Sequence, residues 1–325
     1  MESVKTNTLE APGAELYYEV RGSGPVLLLI CGGVYDAGGY AGLAAELAGR
    51  YTVVTYDRRG NSRSPLAGPP EPQRIEVHGD DAHRVLSAAG VTADAPAYVF
   101  GNSSGAMIGL ELAARHPEQV RALVAHEPPL FELLPDRDHW RGVVREVADA
   151  FRKEGPEAAG AVLRAAFAAA GVHVGGPAEE GTPGDMVVDT PGDMVVDTPG
   201  DMVVDAAGDT GQERVPGGGH APQGEPDPET MEMLGRFAKN MEFFIGYEVP
   251  PFSGYTLDVA ALRASGVRIT AAAGADSAGE PPNRAARAVA ELLGTSPVVF
   301  PGDHGGFGAL SEAFAARLHE VLSAS

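Results

Sequence analysis

A glycine-flanked serine between a strand and a helix constrains this chain more than any other feature of its sequence. The pentapeptide Gly101-Asn102-Ser103-Ser104-Gly105 follows a strand-like segment at 97–100 and precedes a helical pattern at 106–115. In the pattern G-x-S-x-G the flanking residues are small because the chain reverses direction sharply at the serine. The pattern alone arises by chance, but this context predicts that Ser103 is a nucleophile. The alternative is a glycine-rich turn with an N-capping serine.

Strand-like and helix-like segments alternate on both sides of that turn. The strand-like segments are 15–20, 26–30, 51–56, 97–100, 120–125, 267–273 and 297–300, and the helical ones are 40–47, 80–89, 106–115, 283–293 and 311–322. Such alternation is typical of βαβ units, so it predicts an α/β fold with a mostly parallel central sheet and helices on both faces. Residues 131–262 show amphipathic helical patterns without a strand that would extend the sheet. We therefore predict a core domain of residues 1–130 and 263–325 and a helical cap inserted at 131–262.

An octapeptide repeat interrupts the predicted cap. The sequence TPGDMVVD occurs three times in tandem at 182–205. Thr-Pro-Gly-Asp suits a type II turn, so the copies could stack as turn-and-strand rungs. Identical copies equally indicate a recent duplication inside a loop that tolerates insertions. The spacing of the aspartates fits neither a helical calcium-binding loop nor the glycine-rich nonapeptide of calcium-binding β-helices. The preferred interpretation is an irregular surface excursion, and a role in pairing subunits is the alternative.

The charge balance and the cysteine count restrict the partners and the compartment. Acidic residues outnumber basic ones 45 to 24, a formal net charge of −21, which argues against nucleic acid. The single cysteine, Cys31, excludes an internal disulfide and a cysteine-based zinc site. The longest apolar run, at 26–31, is too short to cross a bilayer, and the first residues lack a signal-peptide core. We expect a cytoplasmic protein with a small-molecule substrate and no membrane partner.

On the pentapeptide and its setting, the chain resembles the α/β-hydrolase fold family over nearly all of its length outside the cap. The resemblance implies a nucleophile, an acid and a histidine in that order along the chain. His304, in the loop FPGDHGGF at 300–307, matches the family's loop-borne histidine. Asp276, after the strand at 267–273, matches the usual acid position and is the preferred acid. Glu127, which follows the preceding strand of the sheet, is the alternative acid.

The resemblance also implies an oxyanion hole and a substrate pocket. The backbone N–H groups of Ser104 and Gly33 match the family's two donors. Many members carry a His-Gly pair just before the second donor, whereas this chain has Cys31-Gly32. That departure concerns the hydrogen bonds that support the loop and not the backbone donor itself. The candidates for lining the substrate pocket are Val34, His126, Met241 and Phe244.

Together these residues predict hydrolysis of a carboxylic ester or related acyl compound through a seryl acyl-enzyme, with no cofactor and no metal. Lactonase, thioesterase and cofactor-free perhydrolase chemistry of secondary metabolism are alternatives within the same fold. A small-molecule binding protein that retains these residues with little turnover is an alternative of another class. A serine at position 103 argues against an epoxide hydrolase or a dehalogenase, which would have aspartate there. The oligomeric state, including a homo-oligomer, stays open.

Overall fold

The computed structural model describes residues 4–171 and 228–324, which are built around one sheet. The strands are β1 (Lys5–Ala11), β2 (Ala14–Gly22), β3 (Val26–Ile30), β4 (Thr52–Tyr56), β5 (Ala97–Asn102), β6 (Val120–His126), β7 (Arg268–Gly274) and β8 (Val298–Phe300). Hydrogen bonds order them β1-β2-β4-β3-β5-β6-β7-β8. The pairs β1–β2 and β2–β4 are antiparallel, and the other neighbouring pairs are parallel. The prediction of a mostly parallel central sheet is confirmed.

Helices lie on both faces of the sheet, as predicted. They are α1 (Ala41–Leu47), α2 (Ile75–Ala88), α3 (Ser104–Arg115), α4 (Arg137–Glu154), α5 (Pro156–Ala169), α6 (Pro228–Phe243), α7 (Val249–Ser253), α8 (Val259–Ala264), α9 (Pro281–Leu293), α10 (Gly306–Ala309) and α11 (Ser311–Ser323). A π-helical segment at Phe244–Glu248 joins α6 to α7. Side chains of α2, α3 and α9 belong to one buried apolar cluster, and those of α1 and α11 belong to a second.

Strand β3 shows why both faces must be covered. Its sequence, VLLLI, is an uninterrupted apolar run, and successive side chains of a strand point to opposite faces. Leu28 and Ile30 lie in the cluster with α2, α3 and α9, whereas Leu27 and Leu29 lie in the cluster with α1 and α11. All four leucine and isoleucine side chains are fully buried. Strand β3 is therefore buried on both faces of the sheet.

The elements described between β6 and β7 are helical. In α4, Trp140, Val143 and Val147 are buried on one face, a spacing that marks an amphipathic helix. Gly155, at a φ of +98°, ends α4, and Pro156 begins α5 at the position where a missing N–H costs no helical hydrogen bond. The proposed limits of the cap, 131 and 262, stay a prediction.

Two further features of the sequence, the octapeptide repeat and the apolar segments, can be compared with the described residues. The octapeptide repeat at 182–205 lies outside the described residues. Within residues 4–171 and 228–324, no helix combines the length and the apolar composition that a membrane crossing requires.

Candidate active site

Ser103 lies on a sharp turn between β5 and α3. Its φ of 54° and ψ of −127° fall in a region that residues with side chains rarely adopt. The flanking glycines permit the turn, because a Cβ on Gly101 would lie 2.3 Å from Gly105 O, and one on Gly105 would lie 2.1 Å from Ile30 O. The Ser103 N–H donates to His126 O at 2.9 Å, which fastens the turn to β6. The local sequence thus places a half-buried serine at the start of α3.

His304, in the loop between β8 and α10, contacts a buried carboxylate. Its Nδ1 lies 2.7 Å from Oε2 of Glu127, the residue that directly follows β6. The Glu127 side chain is fully buried, whereas that of His304 is 34% exposed. Glu127 also has a positive φ of 47°, a strained conformation at the end of its strand. A carboxylate at Nδ1 holds the ring proton there and leaves Nε2 as the basic nitrogen.

The second oxygen of Glu127 is held by three donors. Oε1 accepts hydrogen bonds from Gly274 N at 2.8 Å, from Asn283 Nδ2 at 3.2 Å and from the Ser277 hydroxyl. Burial alone would raise the pKa of Glu127, but the hydrogen bond and charge of His304, with the Ser277 bond, lower that pKa to about 2. Glu127 is therefore a carboxylate at neutral pH, and both of its oxygens are fixed in position.

The structure brings the alternative acid, and not the preferred one, into contact with His304. Asp276 is exposed, and its backbone N–H donates to Gly302 O at 3.0 Å. The carboxylate that reaches His304 belongs instead to Glu127, the alternative acid. The two positions follow the adjacent parallel strands β7 and β6, so both reach the same edge of the sheet. The two carboxylates differ in their surroundings: hydrogen-bond donors of Gly274, Ser277 and Asn283 contact Glu127.

Asn102, which the sequence analysis did not assign, connects two histidines below the turn. Its Nδ2 donates to His304 O at 3.0 Å and to Nδ1 of His126 at 2.9 Å. Nδ1 of His126 therefore accepts, and the ring proton lies on Nε2, near Phe300 and Phe314. His126 is fully buried, as a packed histidine would be, and its contact with a substrate stays a prediction. The sequence feature that could have indicated the role of Asn102 is a polar residue in the second position of the pentapeptide, at the end of a buried strand.

The buried His126 makes the stability of the fold depend on pH. Burial chiefly, with the nearby His304, lowers the pKa of His126 from 6.5 to about 4. The unfolded chain therefore binds a proton between these values that the folded chain does not, and stability falls as pH falls through this window. We expect the free energy of unfolding to fall less between pH 7 and pH 5 in His126→Gln than in the wild type, by about 2 kcal/mol. The glutamine keeps a hydrogen-bond acceptor for Asn102.

Urea unfolding at the two pH values measures this effect. The matched control is His139→Gln, since His139 is exposed. An identical pH dependence in the wild-type protein and in His126→Gln would show that His126 is not kept neutral by the fold.

The loop after β3 lies against the Ser103 turn. A Cβ on Gly32 would lie 2.7 Å from Ser103 Cβ and 3.1 Å from Ser104 N, so only glycine allows this approach. The next residue, Gly33, has a φ of +53°, and its N–H donates to Ser104 Oγ at 2.9 Å. The two expected oxyanion donors, Gly33 N and Ser104 N, thus lie on segments in contact. In this structure the first of them is hydrogen bonded to the hydroxyl of Ser104.

A buried ion pair holds the same loop from the other side. The guanidinium of Arg58 donates through Nη1 to both carboxylate oxygens of Glu248, each at 2.7 Å, and through Nη2 to Gly33 O. Both charged side chains are fully buried, and Asn61 Nδ2 adds a bond to Glu248 at 3.2 Å. Glu248 ends the π-helical segment. The helical region between β6 and β7 is therefore connected to the glycine loop through Arg58.

The remaining pocket candidates lie near this junction. The carbonyl of Val34 accepts from Asn240 Nδ2 of α6 at 2.9 Å, and Val34 itself is buried. Met241 directly follows Asn240, and Phe244 begins the π-helical segment; both are half-buried and pack on the apolar cluster of α2, α3 and α9. Contact of Val34, Met241 and Phe244 with a substrate stays a prediction.

Comparison with known proteins agrees with this architecture. A family model described as alpha/beta hydrolase fold matches residues 25–180. The uncharacterized hydrolase YraK of Bacillus subtilis (strain 168) is 36% identical over 324 residues, which are 98% of this chain and 97% of the relative.

Two solved structures show the same fold at low sequence identity. A thermophilic esterase from Thermogutta terrifontis has a TM-score of 0.62 at 17% identity, covering 99% of this chain and 98% of that one. The enol-lactonase from Burkholderia xenovorans LB400 has a TM-score of 0.58 at 17% identity, covering 98% of this chain and all of that one (100%). With the sheet order and the similarity to YraK over the full chain, these matches lead to one assignment: the chain belongs to the α/β-hydrolase fold family.

Proposed function

We propose that the protein is a serine hydrolase that cleaves a carboxylic ester or a related acyl bond of a small molecule through an acyl-enzyme on Ser103. The observation that carries the proposal is the 2.7 Å hydrogen bond between His304 Nδ1 and the buried Glu127 carboxylate. A histidine so oriented is a base through Nε2, and the strained turn at Ser103 is the setting in which hydrolases of this fold carry a serine nucleophile.

The chemistry assigns each group one task. Nε2 of His304 takes the proton of the Ser103 hydroxyl as Oγ attacks the acyl carbon, and later gives it to the leaving alkoxide. Glu127 accepts the Nδ1 proton and stabilises the imidazolium that forms in between. Its low pKa, about 2, keeps it ionised throughout this cycle at neutral pH. Water then attacks the acyl-enzyme with His304 again as the base.

The oxyanion of the tetrahedral intermediate is assigned to the N–H groups of Ser104 and Gly33. The hydrogen bond from Gly33 N to Ser104 Oγ, at 2.9 Å, supports this assignment because it aims the N–H toward the start of α3. When an oxyanion forms, it replaces the Ser104 hydroxyl as the acceptor. One such donor contributes about 10²–10³-fold to turnover. Arg58, through Gly33 O, keeps the donor oriented.

Two of the structurally similar proteins support an acyl–oxygen bond as the bond that is cleaved. One is an esterase and another an enol-lactonase, and both reactions open a carboxylic ester. Lactone, thioester and peracid chemistry differ in the leaving or attacking group, and the groups at Ser103 serve each of them. A small-molecule binding protein on this fold would differ by its lack of turnover.

Turnover of an activated ester tests the proposal. We expect the purified protein to hydrolyse p-nitrophenyl acetate, and we expect Ser103→Ala to lower kcat by at least about 10⁴-fold because the nucleophile is lost. Ser296→Ala, which changes an exposed serine outside the site, should retain the wild-type rate. Hydrolysis that is unchanged in Ser103→Ala would contradict the assignment, as would a folded wild-type protein that turns over neither esters nor lactones.

A further inference from the structure

A pair of stacked imidazoles lies far from Ser103. His83 is on α2 and His116 directly follows α3, and their ring centroids are 3.9 Å apart with an interplanar angle of 18°. Helix α3 has 12 residues, so its length separates this pair from the Ser103 turn by about 18 Å. One potential ligand atom from each of His83, His116 and Glu118 lies within 4.8 Å of the other two.

Hydrogen bonds fix the tautomer of His83. The Ser87 hydroxyl donates to His83 O at 3.0 Å, and Ser87 Oγ accepts from Gln119 Nε2 at 2.9 Å. Gln119 therefore presents its Oε1 to His83 Nδ1, at 2.9 Å, and that nitrogen must donate. The Nε2 of His83 is left with a free lone pair.

A carboxylate fixes the tautomer of His116 in the same way. Its Nε2 lies 3.1 Å from Asp80 Oδ1, so Nε2 carries the proton and Nδ1 keeps a lone pair. Nδ1 faces Glu118, at 3.9 Å from Oε1. Each histidine thus donates one ring N–H to an oxygen acceptor and keeps the other nitrogen basic. That is the outer-shell arrangement found around metal-bound histidines, where it orients the ring and raises its basicity.

The surroundings also suit a cation. His83 and His116 are half-buried and Glu118 is exposed, so water can complete the coordination. Two imidazoles with one carboxylate are ligands for Zn²⁺ or a similar transition metal, whereas Ca²⁺ and Mg²⁺ prefer all-oxygen sites.

We propose that His83, His116 and Glu118 form a Zn²⁺-type site that joins α2 to the connection between α3 and β6. One ligand atom from each of the three residues lies within 4.8 Å of the other two, and water fills the fourth position. Asp80 and Gln119 each accept a ring N–H from one of the two histidines and so fix the orientation of both rings. The site ties together two segments of the fold and takes no part in the chemistry at Ser103, so its existence does not depend on the proposed function.

Calorimetric titration of the chelator-treated protein with ZnCl₂ tests the site. We expect about one Zn²⁺ per chain in a saturable step, accompanied by a rise in Tm, because a metal bound only by the folded state stabilises that state. The double variant His83→Ala/His116→Ala should lose this step. Asp80→Asn should weaken the affinity by about 10- to 100-fold, as loss of an outer-shell partner does.

Further variants keep the test independent of folding. Glu118→Gln changes an exposed side chain and should weaken Zn²⁺ binding without altering urea unfolding of the metal-free protein. His139→Ala, the loss of an exposed histidine on α4, should bind as the wild type does. The proposal is overturned if the double variant binds Zn²⁺ as the wild type does, or if the wild type shows no saturable step. Ester hydrolysis by the metal-free protein reports separately on the Ser103 site.

Discussion

Glu127→Gln is expected to lower kcat for p-nitrophenyl acetate by about 10⁴-fold, with a smaller effect on KM. The side chain keeps its size, but the negative charge is lost and the amide meets His304 Nδ1 either with an N–H or with a weaker neutral acceptor. His304 then loses the partner that fixes its proton on Nδ1 and stabilises the imidazolium. The present 2.7 Å contact and the pKa of about 2 indicate how much the pair depends on that charge.

Asp276→Asn is the matched control for this substitution. It makes the same chemical change at the other candidate acid, which is exposed. We expect kcat to stay within about twofold of the wild type, as for most surface substitutions. The opposite ranking, with Asp276→Asn inactive and Glu127→Gln active, would show that the loop carrying His304 adopts another arrangement during turnover.

Glu248→Leu is expected to destabilise the protein by about 3–5 kcal/mol, because it leaves the charge of Arg58 buried without its partner. Both side chains are fully buried and share two 2.7 Å contacts. We also expect a lower kcat, since Arg58 holds the carbonyl of Gly33. Urea unfolding gives the stability, and the ester assay gives the activity.

The double variant Arg58→Met/Glu248→Leu separates the two contributions. Removing both charges should restore most of the lost stability, since an apolar pair of similar size often replaces a buried ion pair at little cost. Activity should not return, because Gly33 O still lacks its donor. Glu320→Gln, at the exposed Arg317–Glu320 pair, should cost less than about 1 kcal/mol. A Glu248→Leu protein as stable as the wild type would contradict the buried pair.

Local patterns in the sequence predicted much of the fold. The strand before Ser103 was expected at 97–100 and runs from Ala97 to Asn102, and the helix after it begins at Ser104 rather than at 106. The strand and the helix are separated by Ser103 alone, and the periodicity of apolar residues does not reveal so short a turn. Helix α2 begins at Ile75, five residues before the expected start at 80. Ile75 and His78 in its first turn are buried, and no N-capping side chain marks the start of the helix in the sequence.

The choice between the two candidate acids, and the contacts that hold Glu127 and Gly33, could not be predicted from the sequence for a different reason. Glu127 and Asp276 both follow strands that end at one edge of the sheet, so strand position alone cannot choose between them. The choice depends on Gly274, Ser277 and Asn283, whose donors meet at one oxygen of Glu127. Arg58 and Glu248 are 190 positions apart in the sequence, so no local sequence pattern predicts their contact.

The most direct test of the account is the site of covalent labelling by a fluorophosphonate. The reagent reacts with a serine only where a base activates the hydroxyl and donors stabilise the oxyanion. Intact mass should show one adduct on the wild-type protein, peptide mapping should place it on Ser103, and Ser103→Ala should remain unlabelled. An adduct on another residue, or a folded wild-type protein that never labels, would contradict the claim that Ser103 is an activated nucleophile.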